Sequence, residues 1–505
     1  MTDLNFESQG IDIVLDTPIP AVFETGKGAL LQVSGHLINP GFTIHAARLQ
    51  LQPPVHGTFG YVPRYDLKNR RFFGDVFSSS HRFFYAIPIR HDVPPIKITL
   101  EITRTDASVQ NFHLGTVTPT LRSDDISRSF SHSQISTYLK EASSFPHYPP
   151  IVIGLATYNP DFELFARQIQ SIREQDYPNW FCLVNDDFSD TDFFQIILEI
   201  IGDDDRFLIV RNEKNLGFYK NFEKILQLIP ADTPYIALCD QDDSWYPGKL
   251  RRLVSAFDES TLLTFSDMRI VDRNVEMLYP SFWMNRNVHY QELDLQILDN
   301  AITGAACMFR GTLLNDVLPF PPDSGTVFEN RKVAFHDHWI GCVALAKGNI
   351  KFIPEPLHDY YQQGQNCAGF NYQVHGYGVR EIGTMLRKIR ADGPEKIIET
   401  AFVWFLTHGV QKILYAKILE MRFTLTDKEK RETIALFSSF QGLGYRMLYL
   451  LWKLKSRRNV SCGTGNVFFL GYVTWRIFCR FSKWHFDWEE KVVEQEQINH
   501  IRIKL

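Results

Sequence analysis

Three textures of hydrophobic and polar positions follow one another along the chain. Between about residues 21 and 120 the apolar positions come in short runs separated by Gly, Pro and Asn: ALLQVSGHLI, TIHAARLQLQP, RFFYAIPI and PIKITLEITRT. In the last run a period of two puts Ile96, Ile98, Leu100 and Ile102 on one face, and Lys97, Thr99, Glu101 and Thr103 on the other. Several such strands at regular spacing predict an antiparallel β-sandwich over 21–120, behind a loose tail at 1–20. Its aromatics Phe72, Phe73, Phe83, Phe84 and Tyr85 suit either a carbohydrate platform or core packing, and core packing is the expectation. Residues 121–148 are Ser-rich, end in PHYPP, and read as a linker holding at most one short helix.

At residue 149 the texture changes. PPIVIGLATY is a continuous apolar run, as in a central strand buried on both faces. FELFARQIQSIREQ follows at helical spacing, with Leu164, Ile169 and Ile172 near one stripe. Strand and helix patterns then alternate through WFCLVNDD, DTDFFQIILEIIG, RFLIVRN, FYKNFEKILQLI and PYIALCD. That alternation predicts an α/β domain with a mostly parallel, Rossmann-like sheet over 149–380. Ligands of such sheets bind beyond the carboxyl ends of the strands. Thr157–Asn159, Asp186–Asp187 and Asp240–Asp243 all fall at such ends. Beyond about 380 the pattern becomes long and amphipathic, as in KIIETAFVWFLTHGVQKILYAKILEMRF and YRMLYLLWKLKSRRN, so 381–505 is expected to be helical.

Composition narrows the classes. A chain of 505 residues should hold two to four domains. Its 44% hydrophobic and 22% charged content is globular. A net charge of −5 makes no case for nucleic acid, but the charge is uneven. From Glu381 onward 21 Lys+Arg face 13 Asp+Glu, a net of +8, which leaves −13 on the first 380 residues. The basic, aromatic stretch NVFFLGYVTWRIFCRFSKWHF, with Arg476, Arg480 and Lys483, suits either an interfacial helix or a packed helical cap. Seven cysteines, without a C-x-x-C pair, indicate neither a disulfide framework nor a zinc site. No leader-like N-terminus and no apolar run of about 18 residues stand out. The expected location is cytoplasmic, with peripheral contact at the inner face of the membrane.

The stretch ALCDQDDSW crowds three carboxylates into four positions after an apolar run. Such acids repel, raise each other's pKa and resist burial unless a cation sits among them. A second acidic strand end, Asp186–Asp187, lies about 54 residues earlier. Between them Asn215-Leu216-Gly217 precedes a helix, where a glycine permits close approach of the backbone and a helix N-terminus favours anions. Together these features suit a nucleoside diphosphate and a hard divalent cation, Mn²⁺ or Mg²⁺, held by one or two carboxylates plus phosphate oxygens.

Five ordered stretches carry a family resemblance: TYNPDFELFARQIQSIREQDYPNWFCLVNDDFSDTDF, NEKNLGFYKNFE, DQDDSWYPGKL, ITGAACMFRG and FHDHWIGCVALAKGNIKFIPEPL. Over roughly 149–370 the chain resembles family 2 glycosyltransferases of the rhamnosyltransferase-like subgroup. The resemblance implies a GT-A fold and an inverting, metal-dependent sugar transfer from a nucleotide-sugar, UDP- or dTDP-linked, to a glycan or lipid-linked acceptor in cell-surface polysaccharide synthesis, lipopolysaccharide included. Carried over by position, Thr157, Tyr158 and Asn159 line the nucleotide pocket, with Asn215 and Gly217 near the phosphates. Asp187 holds the base, with Asp186 beside it. Asp240 and Asp242 form the D-x-D, Asp242 as direct metal ligand and Asp240 nearer the ribose and metal waters. Asp337 is the general base.

Around these residues each assignment has a plainer counterpart. Asp243 touches the metal or braces the loop. Trp245 and Trp339 stack on an acceptor sugar or anchor the core, and His336 and His338 orient Asp337 or are polar neighbours. Lys220 and Asn221 reach phosphate or lie on a solvated face. One departure stands out: relatives carry YRQH..N where this chain reads YYQQGQN, so Tyr361 replaces an Arg and Gln363 a His. Two rival readings are a non-catalytic glycan-binding protein built on the β-sandwich, and a metal-dependent nucleotidyltransferase or phosphohydrolase on a similar sheet.

Overall fold

The computed structural model describes residues 3–4, 12–38, 44–55, 58–62, 82–104, 106–121, 130–144, 147–283, 291–327, 332–362, 404–439, 470–473 and 485–488. The expected segments around Phe72, Gln363, 445–459 and Arg476–Lys483 lie outside them.

Two sheets face each other in the N-terminal part. One joins β1 (Asp3–Leu4), β2 (Asp12–Leu15), β4 (Ala29–Ile38), β7 (Arg82–Ile89), β6 (Phe59–Val62) and β19 (His485–Trp488), all antiparallel. The other joins β3 (Val22–Glu24), β9 (Val109–Thr120), β8 (Ile96–Arg104) and β5 (Ile44–Gln52). Ile96, Ile98, Leu100 and Ile102 are fully buried between the sheets, as the period of two requires. On β7, Phe83, Tyr85 and Ile87 fill the sandwich, whereas Phe84 and Ala86 point the other way into the core of the α/β part. That two-sided burial explains the unbroken apolar run, and it leaves Phe83, Phe84 and Tyr85 no surface for a sugar.

Two segments differ from expectation. Asp12–Leu15, read as part of a loose tail, pairs with Gly35–Ile38 because Ile13 and Leu15 complete the sandwich core. His485–Trp488, in the region expected to be helical, pairs with Phe59–Val62. The linker holds one helix, α1 (Phe130–Ala142).

The α/β part follows as β10 (Ile151–Thr157), α2 (Phe162–Arg173), β11 (Trp180–Asp186), α3 (Thr191–Ile201), β12 (Phe207–Arg211), α4 (Phe218–Leu228) and β13 (Tyr235–Cys239). Strands β12-β11-β10-β13 are parallel and adjacent. The sheet continues through β17 (Cys307–Arg310), β15 (Thr261–Val271), β18 (Asn349–Tyr361) and β14 (Ser244–Trp245). This mixed α/β sheet, parallel in its first half, is the GT-A arrangement implied by the motifs. Val152 faces one core and Ile151 and Ile153 the other, which is why β10 reads as continuously apolar. Asp161 caps α2 by accepting from the backbone of Glu163 and Leu164, and the helix packs Leu164, Phe165, Ile169 and Ile172 inward.

The two parts are tied firmly. Arg422, at the end of α9 (Val410–Arg422), donates to the carbonyls of Gly28, Asp316 and Pro319 at 2.8, 2.6 and 2.6 Å. Asp316 pairs with Lys27 of the sandwich and with Lys347. Among the described residues no helix is long and apolar enough to cross a membrane.

Candidate functional site

At the carboxyl end of β10 the chain turns sharply, with Asn159 at φ +40°. Gln241, the middle residue of the D-x-D, clamps that turn: its Oε1 accepts from Thr157 Oγ1 at 3.0 Å and from Tyr158 N at 2.8 Å. Asn159 is joined to the next strand end, its Oδ1 accepting from Asp190 N at 2.9 Å and its backbone N–H donating to Ser189. Thr157 is buried, Asn159 is half-buried and Tyr158 is 47% exposed, so the tyrosine is the most open member of this trio.

Asp186 ends β11, Asp187 follows it, and both are buried. Asp186 accepts from Ser189 and lies 3.2 Å from Arg211 Nε; burial raises its pKa, against those partners and with Asp187 adding to the rise. Asp187 accepts from Asn212 Nδ2, Leu216 N and Gly217 N, each at 2.8 Å. Asn215 Nδ2 reaches the Asp187 carbonyl at 3.2 Å. The structure thus brings Asp187, Asn215 and Gly217 into one unit, with the Asp187 carboxylate fastening the loop before α4. Gly217 sits at φ +80° and ψ 155°, a region essentially restricted to glycine that costs an L side chain on the order of 1–3 kcal/mol. Beneath lies a buried set of three asparagines, Asn185, Asn212 and Asn221, hydrogen-bonded to one another.

Asp240 and Asp242 follow β13. No described residue donates a hydrogen bond to the Asp240 carboxylate. Burial raises its pKa, and the charges of Asp242 and Asp337 raise it further. Asp242 is raised too, by burial first. Asp243 is fully buried, accepts from the backbone of Tyr361, and places Oδ2 3.8 Å from His358 Nε2; it braces the loop rather than facing outward. Trp245, on β14, is 3% exposed. Its ring lies 4.0 Å from the ammonium of Lys249, the first residue of α5 (Lys249–Ser255), which is itself fully buried and donates to the Ala305 carbonyl at 2.5 Å. Burial lowers the Lys249 pKa, opposed by the field of Cys239, Asp243 and Asp240. This internal cation beside an acidic cluster was not singled out from sequence. Its one signal was a lysine sharing the start of an apolar stripe with Leu250 and Leu253.

Asp337 stands in the first turn of α8 (His336–Lys347), with α6 (Leu293–Leu298) and α7 (Leu314–Val317) packed nearby. Its Oδ2 accepts from Gly304 N at 3.0 Å and its Oδ1 from His338 N at 2.7 Å. Burial lifts its pKa to about 6 against those bonds and one from Asn300. A Cβ on Gly304 would fall 2.4 Å from His336 Nε2, so glycine there lets the backbone donor approach under the imidazole. His336 stacks on Phe222 at 3.7 Å, and burial drops its pKa to about 3, so it is neutral. His338 contacts the Gln296 carbonyl at 2.6 Å. Trp339 is fully buried, with Nε1 donating to the Val317 carbonyl at 2.8 Å. Trp245, His336 and Trp339, expected at the acceptor, are therefore enclosed by the core and support the site from behind.

The described residues contain no group of three or more His, Cys, Asp or Glu side chains able to hold a metal by themselves. The donor set at Asp240 and Asp242 nevertheless fits a hard cation that completes its shell with phosphate and water. Both carboxylates are partly exposed and their pKa values stay raised even though the buried Lys249 lowers that of Asp240, so negative charge remains there that such an ion would neutralise. Tyr361 is 2% exposed and packs with Leu164 and Val271, and Arg167 lies 5.8 Å from its ring.

Against known proteins, protein y4gI of Sinorhizobium fredii is 32% identical over 111 residues, covering 22% of this chain and 12% of that protein. The uncharacterized glycosyltransferase MJ1057 of Methanocaldococcus jannaschii is 29% identical over 133 residues, covering 26% of this chain and 45% of that one. The chain thus spans less than half the length of these relatives. Residues 1–349 of S. aureus TarS, solved with UDP-GlcNAc, superpose with a TM-score of 0.35 at 15% identity, over 65% of this chain and 92% of that one. Residues 152–317 match the family described as Glycosyl transferase family 2, and that span holds every strand-end residue described above, while His336, Asp337 and Trp339 lie beyond it.

Proposed function

We propose that the protein is an inverting glycosyltransferase that uses a divalent cation, moving a sugar from a nucleotide-sugar to a glycan or glycolipid acceptor. The observation that carries the reading is electrostatic. Asp240, Asp242 and Asp337 come from two distant stretches of chain, and each has its pKa raised, with Asp242 and Asp337 both acting on Asp240. Such clustering is typical of functional sites. The family match at 152–317 supports sugar transfer as the chemistry.

In this reading Tyr158, Asn159 and the unit of Asp187, Asn215 and Gly217 bind the nucleotide, with Asp186 fixing the turn beside them. Asp242 would hold Mn²⁺ or Mg²⁺, with Asp240 beside it, and the ion would neutralise charge on the departing diphosphate. Asp337 removes the proton of the acceptor hydroxyl as that oxygen bonds to the anomeric carbon. The bond from that carbon to the diphosphate oxygen breaks, and the nucleoside diphosphate leaves with the electron pair. A pKa of about 6 keeps Asp337 ionised at neutral pH and closer to the proton's needs than an ordinary carboxylate. One in-line displacement inverts the anomeric centre.

A glycan-binding module without catalysis finds less support, because the described sandwich aromatics Phe83, Phe84 and Tyr85 are buried. The test is release of free sugar from UDP-, dTDP- and GDP-sugars with Mn²⁺. Slow hydrolysis of one donor, abolished in Asp242→Asn, is expected; hydrolysis that survives that substitution rules out the assignment.

A further inference from the structure

A cleft of about 610 Å³ lies where the sandwich meets the α/β part. Thr17, Pro20 and Gln32 belong to its sandwich wall; Phe218, Lys220 and Lys332 belong to the opposite wall. Its volume falls in the range of small-molecule sites.

Three observations give it a role. The first is continuity with the catalytic cluster. The cleft is lined by Gly217, whose N–H is held by Asp187, and by Phe218, which packs against Phe335 and His336 at 5.6 and 6.5 Å. Those are the two residues before Asp337, so one aromatic ring is shared between the cleft and the support of the base. The second is chemistry. Prolines and the half-buried Phe218 offer apolar faces for pyranose C–H groups, while Lys332, 5.1 Å from the Phe218 ring, Lys220, which also pairs with Glu223 at 2.5 Å, and Asp323 offer donors and an acceptor for hydroxyls. An alkyl chain in the same place would have to lie against those ammonium groups, which favours a sugar over a lipid tail. The third is rigidity. Arg422 fastens Gly28 to Asp316 and Pro319, and Leu30 and Phe84 share one core with α9, so both walls hold their shape.

We infer that this cleft binds the oligosaccharide body of the acceptor, away from the hydroxyl that reacts, so that the N-terminal sandwich selects acceptors by the sugars behind the growing end. The inference rests on the transferase reading for the word acceptor; the glycan site itself stands on the cleft.

The experiment uses the full chain on an array of defined oligosaccharides of two to six sugars, neutral and uronic acid-containing. Calorimetry then follows the best binder with wild type, Thr17→Trp and Phe218→Ala, and UDP and GDP with Mn²⁺ are titrated in parallel. Thr17 is exposed at the rim, so the tryptophan fills the cleft without touching a core. The expected result is an oligosaccharide bound about tenfold more weakly by Thr17→Trp, or ~1.4 kcal/mol, with nucleotide affinity unchanged. Glycan binding sensitive to Thr17→Trp in a protein that binds no nucleotide supports the cleft and sinks the donor reading. Equal affinity in wild type and Thr17→Trp overturns the inference. So does a folded wild type that binds no oligosaccharide, or competition by octanoate in place of sugar.

Discussion

Replacing Asp337 with Asn separates the cost of the site from its use. Asp337 is half-buried and its pKa stands at about 6 against an ordinary 3.8. A carboxyl raised in this way favours the folded state while protonated; that contribution is complete below pH 3.8 and is lost as pH rises through about 6. At pH 7.5 the ionised side chain therefore costs the fold about 3 kcal/mol, the free energy of raising a carboxyl from 3.8 to about 6. The hydrogen bonds from Gly304 and His338 favour the charged form and are already included in that shift. Asparagine matches the acid in shape but offers one acceptor, so its amide nitrogen faces the N–H of either Gly304 or His338 and that lost bond costs about 1–3 kcal/mol at every pH. The stability of Asp337→Asn relative to wild type should therefore rise by about 3 kcal/mol between pH 4 and pH 7.5, from a net loss at pH 4 to near parity or a small gain at pH 7.5, and sugar transfer should fall by about 10²–10⁴-fold. Thermal unfolding of both proteins across that pH range, in EDTA and without nucleotide, reads the first effect. A stability difference between variant and wild type that stays constant from pH 4 to pH 7.5 refutes the reasoning.

Other expectations follow from the same contacts. Transfer by the wild type should fall as pH drops through about 6, where Asp337 takes up its proton; a profile flat to pH 4.5 would place the base elsewhere. Gly217→Ala should cost about 1–3 kcal/mol through backbone strain alone, since nothing lies within 4 Å of the added methyl; urea unfolding checks it, and a neutral outcome would contradict the strain assigned to this turn. Asp187→Ala leaves the N–H groups of Leu216 and Gly217 unbonded and should weaken nucleotide binding by about tenfold or more, some 1–3 kcal/mol, in calorimetry. Arg422→Ala strips three carbonyls of their donor and should destabilise the junction of sandwich and α/β part by about 3 kcal/mol or more, seen in denaturant unfolding.

Much of the site was legible from the chain because acids at strand ends are conspicuous there. A continuous apolar run followed by Asp186–Asp187 or Asp240–Asp243 marks both a buried strand and its ligand-facing end, and a period of two marked β8. Other parts were hidden because they depend on what lies across the fold. The sequence shows Trp245 and Trp339 as aromatic residues beside acids; only packing decides that their rings face inward, one over Lys249 and one toward Val317. Little in the sequence marks Lys249, Asn185 or Asn212 as buried, because the partners that close over them come from separate stretches of chain. Asp12–Leu15 was too short to stand out as a strand, and it is held by a neighbour rather than by its own pattern.

Nucleotide titration by calorimetry tests the central claim most directly. UDP, dTDP and GDP are each titrated into wild type and Asp242→Ala, with and without Mn²⁺. The account expects one nucleotide to bind the wild type only with Mn²⁺ and to lose that metal dependence, and most of its affinity, in Asp242→Ala. A folded wild type that binds none of the three, or binds one equally well in EDTA and in Asp242→Ala, would contradict a metal-assisted nucleotide-sugar site at Asp240 and Asp242.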